Sequence, residues 1–201
     1  KGFDNEIARL SLSDKKAGLK TLFKPERDVF VGDVDLHFHG DKMLFSMLDA
    51  KNNWQLWEVG VDGSGLSQVT PADEVNYDNF DGCYLPDGRI VLGSTRMFHG
   101  VPCVTGSAEV ANLFLLDREN NKVRQLCYDQ DQNWMPTVIN NGRVMFTRWE
   151  YSDTPHYFSR IVMTMNPDGT DQKAYYGSNS YWPNSIFFAR PIPNHPSQFI
   201  G

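Results

Sequence analysis

The sequence predicts an all-β protein built as a β-propeller of four-stranded antiparallel blades, and three observations support this fold class. Aromatic residues make up 13% of the 201 residues, a content that suits strands better than helices. No segment shows a 3.6-residue apolar period over the length of a helix. Similar hairpins recur about every 50 residues, which is the signature of propeller blades. A β-sandwich also has short, regularly spaced strands, but the sequence similarity of the units favours the propeller.

Each repeat opens with a hairpin of two apolar strands, which would form the inner half of a blade. Three of these hairpins turn at 39–41, 86–88 and 140–142. Asp-Gly and Asn-Gly pairs between apolar runs are the strongest short-range hairpin signals. The segment 186–190 begins a fourth inner hairpin.

A second hairpin follows each inner one and would form the outer half of the blade. Its turns lie at 62–63, 119–121 and 168–169. A fourth copy opens the chain, with strands over 7–12 and 19–23. We therefore expect one partial propeller domain over 1–201, of about three complete blades and two half blades. The units are a half blade at 1–32, blades at 33–77, 78–131 and 132–180, and the start of the next blade at 181–201.

The number of blades and the charge limit what the chain can be. Three blades and two halves are too few to close a usual ring, so we expect a piece of a longer protein. Its exposed strand edges would allow a homo-oligomer. The net charge of −6 argues against a nucleic-acid partner bound by a general basic field. No apolar run approaches the roughly 20 residues of a membrane span, and no signal-peptide h-region is present.

Propeller topology places the long loops of this chain on one face. With strands A to D counted outward from the central channel, the B–C and D–A connections share a face, here called the loop face. The long B–C loops span 95–111 and 149–159, and the D–A connections span 129–134 and 177–182. Such loops on a rigid scaffold usually hold binding sites. The candidate ligand-binding residues are Arg96, His99, Trp134, Arg148, Glu150, Asp153, His156, Arg160 and Trp182.

Each of these candidates has a structural alternative. Arg148 with Glu150, and Arg160 with Asp153, could form salt bridges that only pin a long loop. Asp129 and Asp131 are weak metal candidates, because they alternate with other oxygen ligands as calcium loops do. Their segment lacks the Gly and the distal Glu of an EF-hand, so a solvated loop is the alternative. Four further acids near the channel could hold a cation or bind water and backbone: Asp33, Asp35, Asp78 and Asp81.

No motif indicates catalysis or a resident cofactor. The sequence contains no G-x-S-x-G elbow and no glycine-rich phosphate loop before a helix. Its five His residues have neither zinc-site spacing nor the C-x-x-C-H pattern of covalent haem attachment. We therefore expect no cofactor and no catalytic residue in this segment.

The cysteines leave two alternatives open. Cys83 on strand A and Cys103 in the following B–C loop could form a disulfide in an exported protein. That disulfide would close a loop of about 20 residues and contribute roughly 3 kcal/mol. The alternative is three buried thiols, with Cys127 packed in the outermost strand.

Several segments carry a resemblance to known propellers. The segments 85–91 and 165–170 resemble TolB-type (WD40-like) repeats, whose turns are commonly S-P-D-G or D-A-D-G. Over roughly 78–201 the chain also resembles the propeller region of proteins related to the hydrazine synthase alpha subunit. This second resemblance rests on the segments 79–83, 100–103, 148–151, 153–156, 176–185 and 189–193.

The resemblance implies a six-bladed propeller within a larger exported bacterial protein, periplasmic or otherwise outside the cytoplasm. Hydrazine synthase itself works through c-type haems, but without C-x-x-C-H no haem ligand carries over to this chain. The leading hypothesis is a non-catalytic segment that binds a protein or small molecule on the loop face. The alternative is an accessory propeller of an enzyme, either a haem-containing oxidoreductase or a hydrolase whose propeller gates the substrate.

Overall fold

A computed structural model describes residues 5–14, 16–72, 76–150, 160–178 and 182–201. Within these ranges the chain forms short strands and one 3₁₀ turn at Pro102–Val104. The strands are β1 (Ile7–Arg9), β2 (Lys20–Phe23), β3 (Val31–Leu36), β4 (Lys42–Leu48), β5 (Trp54–Gly60), β6 (Ser67–Gln68), β7 (Asn79–Tyr84), β8 (Ile90–Ser94), β9 (Asn112–Asp117), β10 (Lys122–Gln125), β11 (Gln132–Val138), β12 (Val144–Trp149), β13 (Ile161–Met165), β14 (Lys173–Tyr176), β15 (Arg190–Pro191) and β16 (Phe199–Ile200).

The strands form antiparallel sheets in which each strand pairs with its neighbour in the sequence. Three sheets have four strands: β3 to β6, β7 to β10, and β11 to β14. Two further sheets have two strands, β1 with β2 and β15 with β16. This up-and-down order confirms the predicted fold class, a partial β-propeller of four-stranded antiparallel blades. No helix among the described residues is long and apolar enough to cross a membrane.

The core lies between neighbouring sheets. Every residue of β8 is buried, because one of its faces packs on the first four-stranded sheet and the other on the third. Ile90 and Leu92 join a cluster with Leu44 of β4, whereas Val91 joins a cluster with Phe146 of β12. Alternate side chains of a strand point to opposite faces, so a strand covered on both faces is apolar throughout.

Two further apolar clusters join the two-stranded sheets to this stack. Ile7 of β1 packs with Phe45 of β4, and Ala189 beside β15 packs with Met145 and Val162 of the third four-stranded sheet. Each sheet is thus attached to its neighbour by an apolar interface. The result is a row of blades that forms a firm base for the loops above it.

The innermost strand of each four-stranded sheet contains an irregularity that the sequence did not indicate. Asp33, Asp81 and Met135 have positive φ angles of 54°, 55° and 56°. The pairing to the second strand shifts register at each of these places. Such β-bulges re-aim the side chains around them. We call these positions the inner-strand bulges.

Gly82 follows one of these bulges, where β7 comes close to the neighbouring sheet. A Cβ atom at Gly82 would lie 2.6 Å from Leu44 Cδ2 and 2.7 Å from Leu56 Cδ1. Glycine therefore allows the close approach of two blades at this point.

Of the disulfide that the sequence allowed between Cys83 and Cys103, the structure describes only the Cys83 side chain, so the pairing stays a prediction. Cys83 is a buried free thiol, packed in the same apolar cluster as Cys127. Burial raises the pKa of the Cys83 thiol well above its ordinary value and that of Cys127 to about 12. Packing in an apolar interface, the alternative left open above, is what the structure shows for Cys83. The side chain of Cys103 lies outside the described part of the chain.

Candidate functional site

A cavity of about 650 Å³ opens on the loop face, where the three four-stranded sheets meet. We call it the loop-face cavity. It is built from D–A connections, from the starts of innermost strands and from the long B–C loop before β9. Its lining residues are Phe30, Asp33, Trp54, Asp78, Phe80, Thr95, Ser107, Glu109, Ala111, Gln132 and Trp134.

Aromatic rings form a large part of the cavity wall. Phe30 and Trp54 meet edge to face, with ring centroids 5.9 Å apart and an interplanar angle of 76°. Phe80 and Trp134 occupy equivalent positions in the second and third sheets, each directly before an inner-strand bulge residue. The repeat of the blade therefore places aromatic residues at matching points around the cavity.

The charged residues of the lining are all acidic: Asp33, Asp78 and Glu109. Asp78 is held in place because its Oδ1 accepts a hydrogen bond of 2.8 Å from the backbone N–H of Trp54. Burial, together with the charge of Asp49, raises the pKa of the Asp78 carboxyl above its ordinary value. Among the described residues, the lining has three carboxylates and no basic side chain, so this part of the wall attracts positive charge.

The uncharged polar residues of the lining are engaged in holding the loops. The hydroxyl of Thr95 accepts a hydrogen bond of 2.9 Å from the backbone N–H of Asp78. The Gln132 amide accepts from the N–H of Ala111 at 2.7 Å and donates to the carbonyl of Glu109 at 2.8 Å. Thr95 and Gln132 therefore position the acidic residues on either side of the cavity.

Among the residues proposed from the sequence, Trp134 lines this cavity. The guanidinium of Arg160 lies 5.8 Å from the ring centroid of Trp134 and 5.1 Å from that of Trp149. Arg160 is thus brought next to the cavity wall. His99 is exposed, and Trp182 is 84% exposed.

Arg96, another of the proposed residues, packs within the second four-stranded sheet. Its guanidinium lies over the rings of Tyr77 and Phe114, at 4.8 Å and 5.2 Å. It also donates a hydrogen bond of 3.2 Å to Asn79. These contacts give Arg96 a structural role in the wall of the blade.

Arg148 also makes structural contacts within the third four-stranded sheet. Its side chain is 9% exposed and its nearest carboxylate is Asp129, at 2.8 Å, whereas Glu150 is 3.9 Å away. It also donates hydrogen bonds of 2.8 Å to Asn133 and Gln172. The salt-bridge alternative therefore fits Arg148, with Asp129 as the main partner in place of Glu150.

The weak metal candidates have other roles in the structure. The carboxylate of Asp129 is occupied by Arg148, and the carbonyl of Asp131 accepts a hydrogen bond from Asn112. In the described part of the chain, no group of three or more His, Cys, Asp or Glu side chains could hold a metal ion. Asp153 and His156 lie outside the described residues.

The four acids near the channel divide into two pairs. Asp33 and Asp78 line the cavity, whereas Asp35 and Asp81 bind the backbone of the next blade. Asp35 accepts a hydrogen bond of 3.0 Å from the N–H of Tyr84, and Asp81 accepts one from the N–H of Met135. Asp35 and Asp81 therefore follow the alternative named above, in which these acids bind the backbone and not a cation.

Sequence reasoning missed Phe30, Trp54, Phe80 and Glu109 as cavity residues. A usable signal existed for Phe80, because it occupies the same place in its repeat as Trp134. Phe30 and Trp54 gave no such signal, since they meet only when the first four-stranded sheet has formed, and Glu109 joins them only when neighbouring blades pack together.

The fold and the cavity define a β-propeller that carries a ligand-sized cavity on its loop face. The sequence matches no protein-family model and no curated protein. Solved structures show where the fold belongs. The chain is similar to a TolB protein from Agrobacterium tumefaciens, with a TM-score of 0.60 and 14% identity over 79% of this chain and 52% of that one.

Two other similar structures contain propellers within larger proteins. Kuenenia stuttgartiensis hydrazine synthase has a TM-score of 0.64 and 17% identity, over 81% of this chain and 27% of that one. Puromycin hydrolase has a TM-score of 0.57 and 13% identity, over 90% of this chain and 26% of that one. The TolB-like propeller is therefore confirmed as a fold. The chain spans between 26% and 52% of the length of these three structures.

Proposed function

We propose that this chain is a non-catalytic propeller segment of an exported bacterial protein, and that it binds a ligand or partner in the loop-face cavity. The observation that carries the proposal is the cavity itself, built where three blades meet. Its volume of about 650 Å³ lies in the range of small-molecule sites. The likeness to TolB supports the exported setting.

The base of the cavity is suited to binding because it is rigid. Apolar clusters on both faces of the second four-stranded sheet fix the strands from which the lining residues project. When the side chains and loops of a cavity are already ordered, ligand binding costs little free energy for ordering them.

A Ser107→Trp variant tests the proposal. Ser107 is exposed and lines the cavity, so a large ring there would fill space with little effect on the core. A chemically mixed fragment library is screened by thermal shift against wild type, Ser107→Trp and the control Glu119→Trp, which changes an exposed outer turn. We expect some compounds to stabilise wild type and the control but not Ser107→Trp. A library without hits, or hits that stabilise all three proteins equally, would contradict the proposal.

The second candidate function is an accessory propeller of an enzyme. The matches to puromycin hydrolase and hydrazine synthase favour it, because this chain covers only 26% and 27% of those chains. A serine-hydrolase domain or C-x-x-C-H motifs in the full-length sequence would support it. Haem absorbance of the full-length protein tests the redox form directly.

A further inference from the structure

We infer that the loop-face cavity selects an organic cation, a ligand that presents an alkylammonium group on an apolar body. This inference rests on the proposed function and names the ligand class of the same site. The ammonium could belong to a small amine or to a lysine side chain, and the test below separates these two sources.

The charge of the lining is the first reason. Asp33 lies at an inner-strand bulge, Asp78 at the start of the next innermost strand, and Glu109 at the exposed rim. An anion entering the cavity would face all three carboxylates. A cation would meet complementary charge along its path from the rim inward.

The aromatic wall is the second and independent reason. Phe30, Trp54, Phe80 and Trp134 line the same space, and a cation within about 6 Å of an aromatic ring centroid is attracted by the ring. Quaternary and alkylated ammonium groups are recognised by aromatic cages of this composition. The rings would also cover the apolar body of an organic cation, whereas a bare metal ion has no apolar body to bury.

A cation–π contact of the protein itself already lies beside the loop-face cavity. Arg160 lies over Trp134 and Trp149, so this side of the cavity carries a positive charge of the protein. We therefore assign the ligand's ammonium to the opposite side, near Phe30 and Trp54. Asp78 is adjacent there, because its carboxylate accepts the Trp54 backbone N–H at 2.8 Å.

Three matched probes test the inference: 4-phenylbutylamine, 4-phenylbutanol and 4-phenylbutyrate. They share an apolar body and differ in charge. We expect calorimetry at pH 7.5 to show at least tenfold tighter binding of the amine than of the other two. Added NaCl should weaken amine binding and leave alcohol binding unchanged.

Two variants locate the carboxylate that selects the cation. Asp78→Asn keeps an oxygen for the Trp54 N–H but removes the charge, and should weaken amine binding about tenfold. Glu109→Gln serves as a second variant at an exposed position, in case Asp78→Asn fails to fold, and should weaken binding by a smaller factor. The matched control is Asp87→Asn, because Asp87 lies in an exposed inner-hairpin turn beside Arg89, away from the cavity lining.

The source of the ammonium is separated with two peptides, acetyl-Gly-Lys-Gly-amide and the same peptide with an acetylated lysine. Binding of the first and not the second supports a lysine side chain as the ligand. Binding of the free amine alone supports a small molecule.

Two results would overturn the inference. One is equal binding of the amine and the alcohol, and the other is amine binding that is weakened in neither carboxylate variant. Neutral or anionic fragments blocked by Ser107→Trp would leave the proposed function standing while this inference failed. A screen without hits of any charge class would contradict the proposed function itself.

Discussion

Replacing Asp81 by Asn tests whether the folded protein holds a proton on a carboxyl group beside its channel. Asp81 is 6% exposed, and its carboxylate accepts a hydrogen bond from the N–H of Met135. Burial raises its pKa to about 7, the charge of Asp33 adds to this, and the Met135 N–H and Arg190 oppose it. Asn can still accept the Met135 N–H, but it cannot ionise.

The sign of the effect follows from the direction of the pKa change. Because the pKa of Asp81 is about 7 in the folded state, against an ordinary value of 3.8, the folded protein keeps a proton that the unfolded chain has lost. The stability that Asp81 contributes is therefore complete below about pH 4 and lost as the pH rises towards 7. The difference between the two pKa values corresponds to about 4 kcal/mol, of which about 3 kcal/mol is lost between pH 5 and pH 8.

Urea unfolding of both proteins at pH 5 and pH 8, followed by tryptophan fluorescence, measures this loss. Other titrating groups are common to wild type and variant, so the difference between their free energies of unfolding isolates Asp81. We expect Asp81→Asn to gain about 3 kcal/mol relative to wild type between the two pH values. Glu119→Gln, at an exposed outer turn, should follow wild type. Parallel pH profiles for wild type and Asp81→Asn would refute the reasoning.

Two further predictions concern stability and are measured by the same unfolding assay at pH 7. Arg148→Ala should destabilise the protein by about 2–3 kcal/mol, because it removes charge-assisted hydrogen bonds to the half-buried Asp129 and leaves the buried Asn133 without this partner. Glu150→Gln should change stability by less than about 0.5 kcal/mol, and equal effects would contradict the structural role of Arg148. Gly82→Ala should cost about 1–3 kcal/mol, because the new methyl group would overlap Leu44. Gly18→Ala, with open space at its Cβ, is the control, and an equally small effect of both would show that the close approach is not needed.

The sequence could predict the sheets because their signals are local. Turn pairs such as Asp87-Gly88 fix the hairpins, and the repeat of the pattern fixes their arrangement in blades. The inner-strand bulges could not be predicted, because Asp81 and Met135 adopt positive φ angles that glycine would have signalled. Only the packing of one blade on the next favours that backbone conformation for other residues.

The sequence could predict which face of the propeller carries the candidate site, but it predicted the individual lining residues less well. Trp134 lines the loop-face cavity, and it was expected on this face because it ends the D–A connection, where topology alone determines the face. Arg148 was proposed as a ligand-binding residue beside the long loop that starts at 149, but it pairs with Asn133 across β11 and β12, and its neighbours in that sheet bury it. Residue composition alone cannot show whether a residue next to a loop belongs to the loop or is still paired in the adjoining strand.

Burial, more than residue type, decides what the acids of the innermost strands do. Asp33 and Asp81 occupy the same bulge position in successive blades, yet Asp33 is half-buried in the cavity lining and Asp81 is buried against Met135. Two neighbouring carboxylates repel each other when both are charged. The proton that burial places on Asp81 below about pH 7 relieves this repulsion.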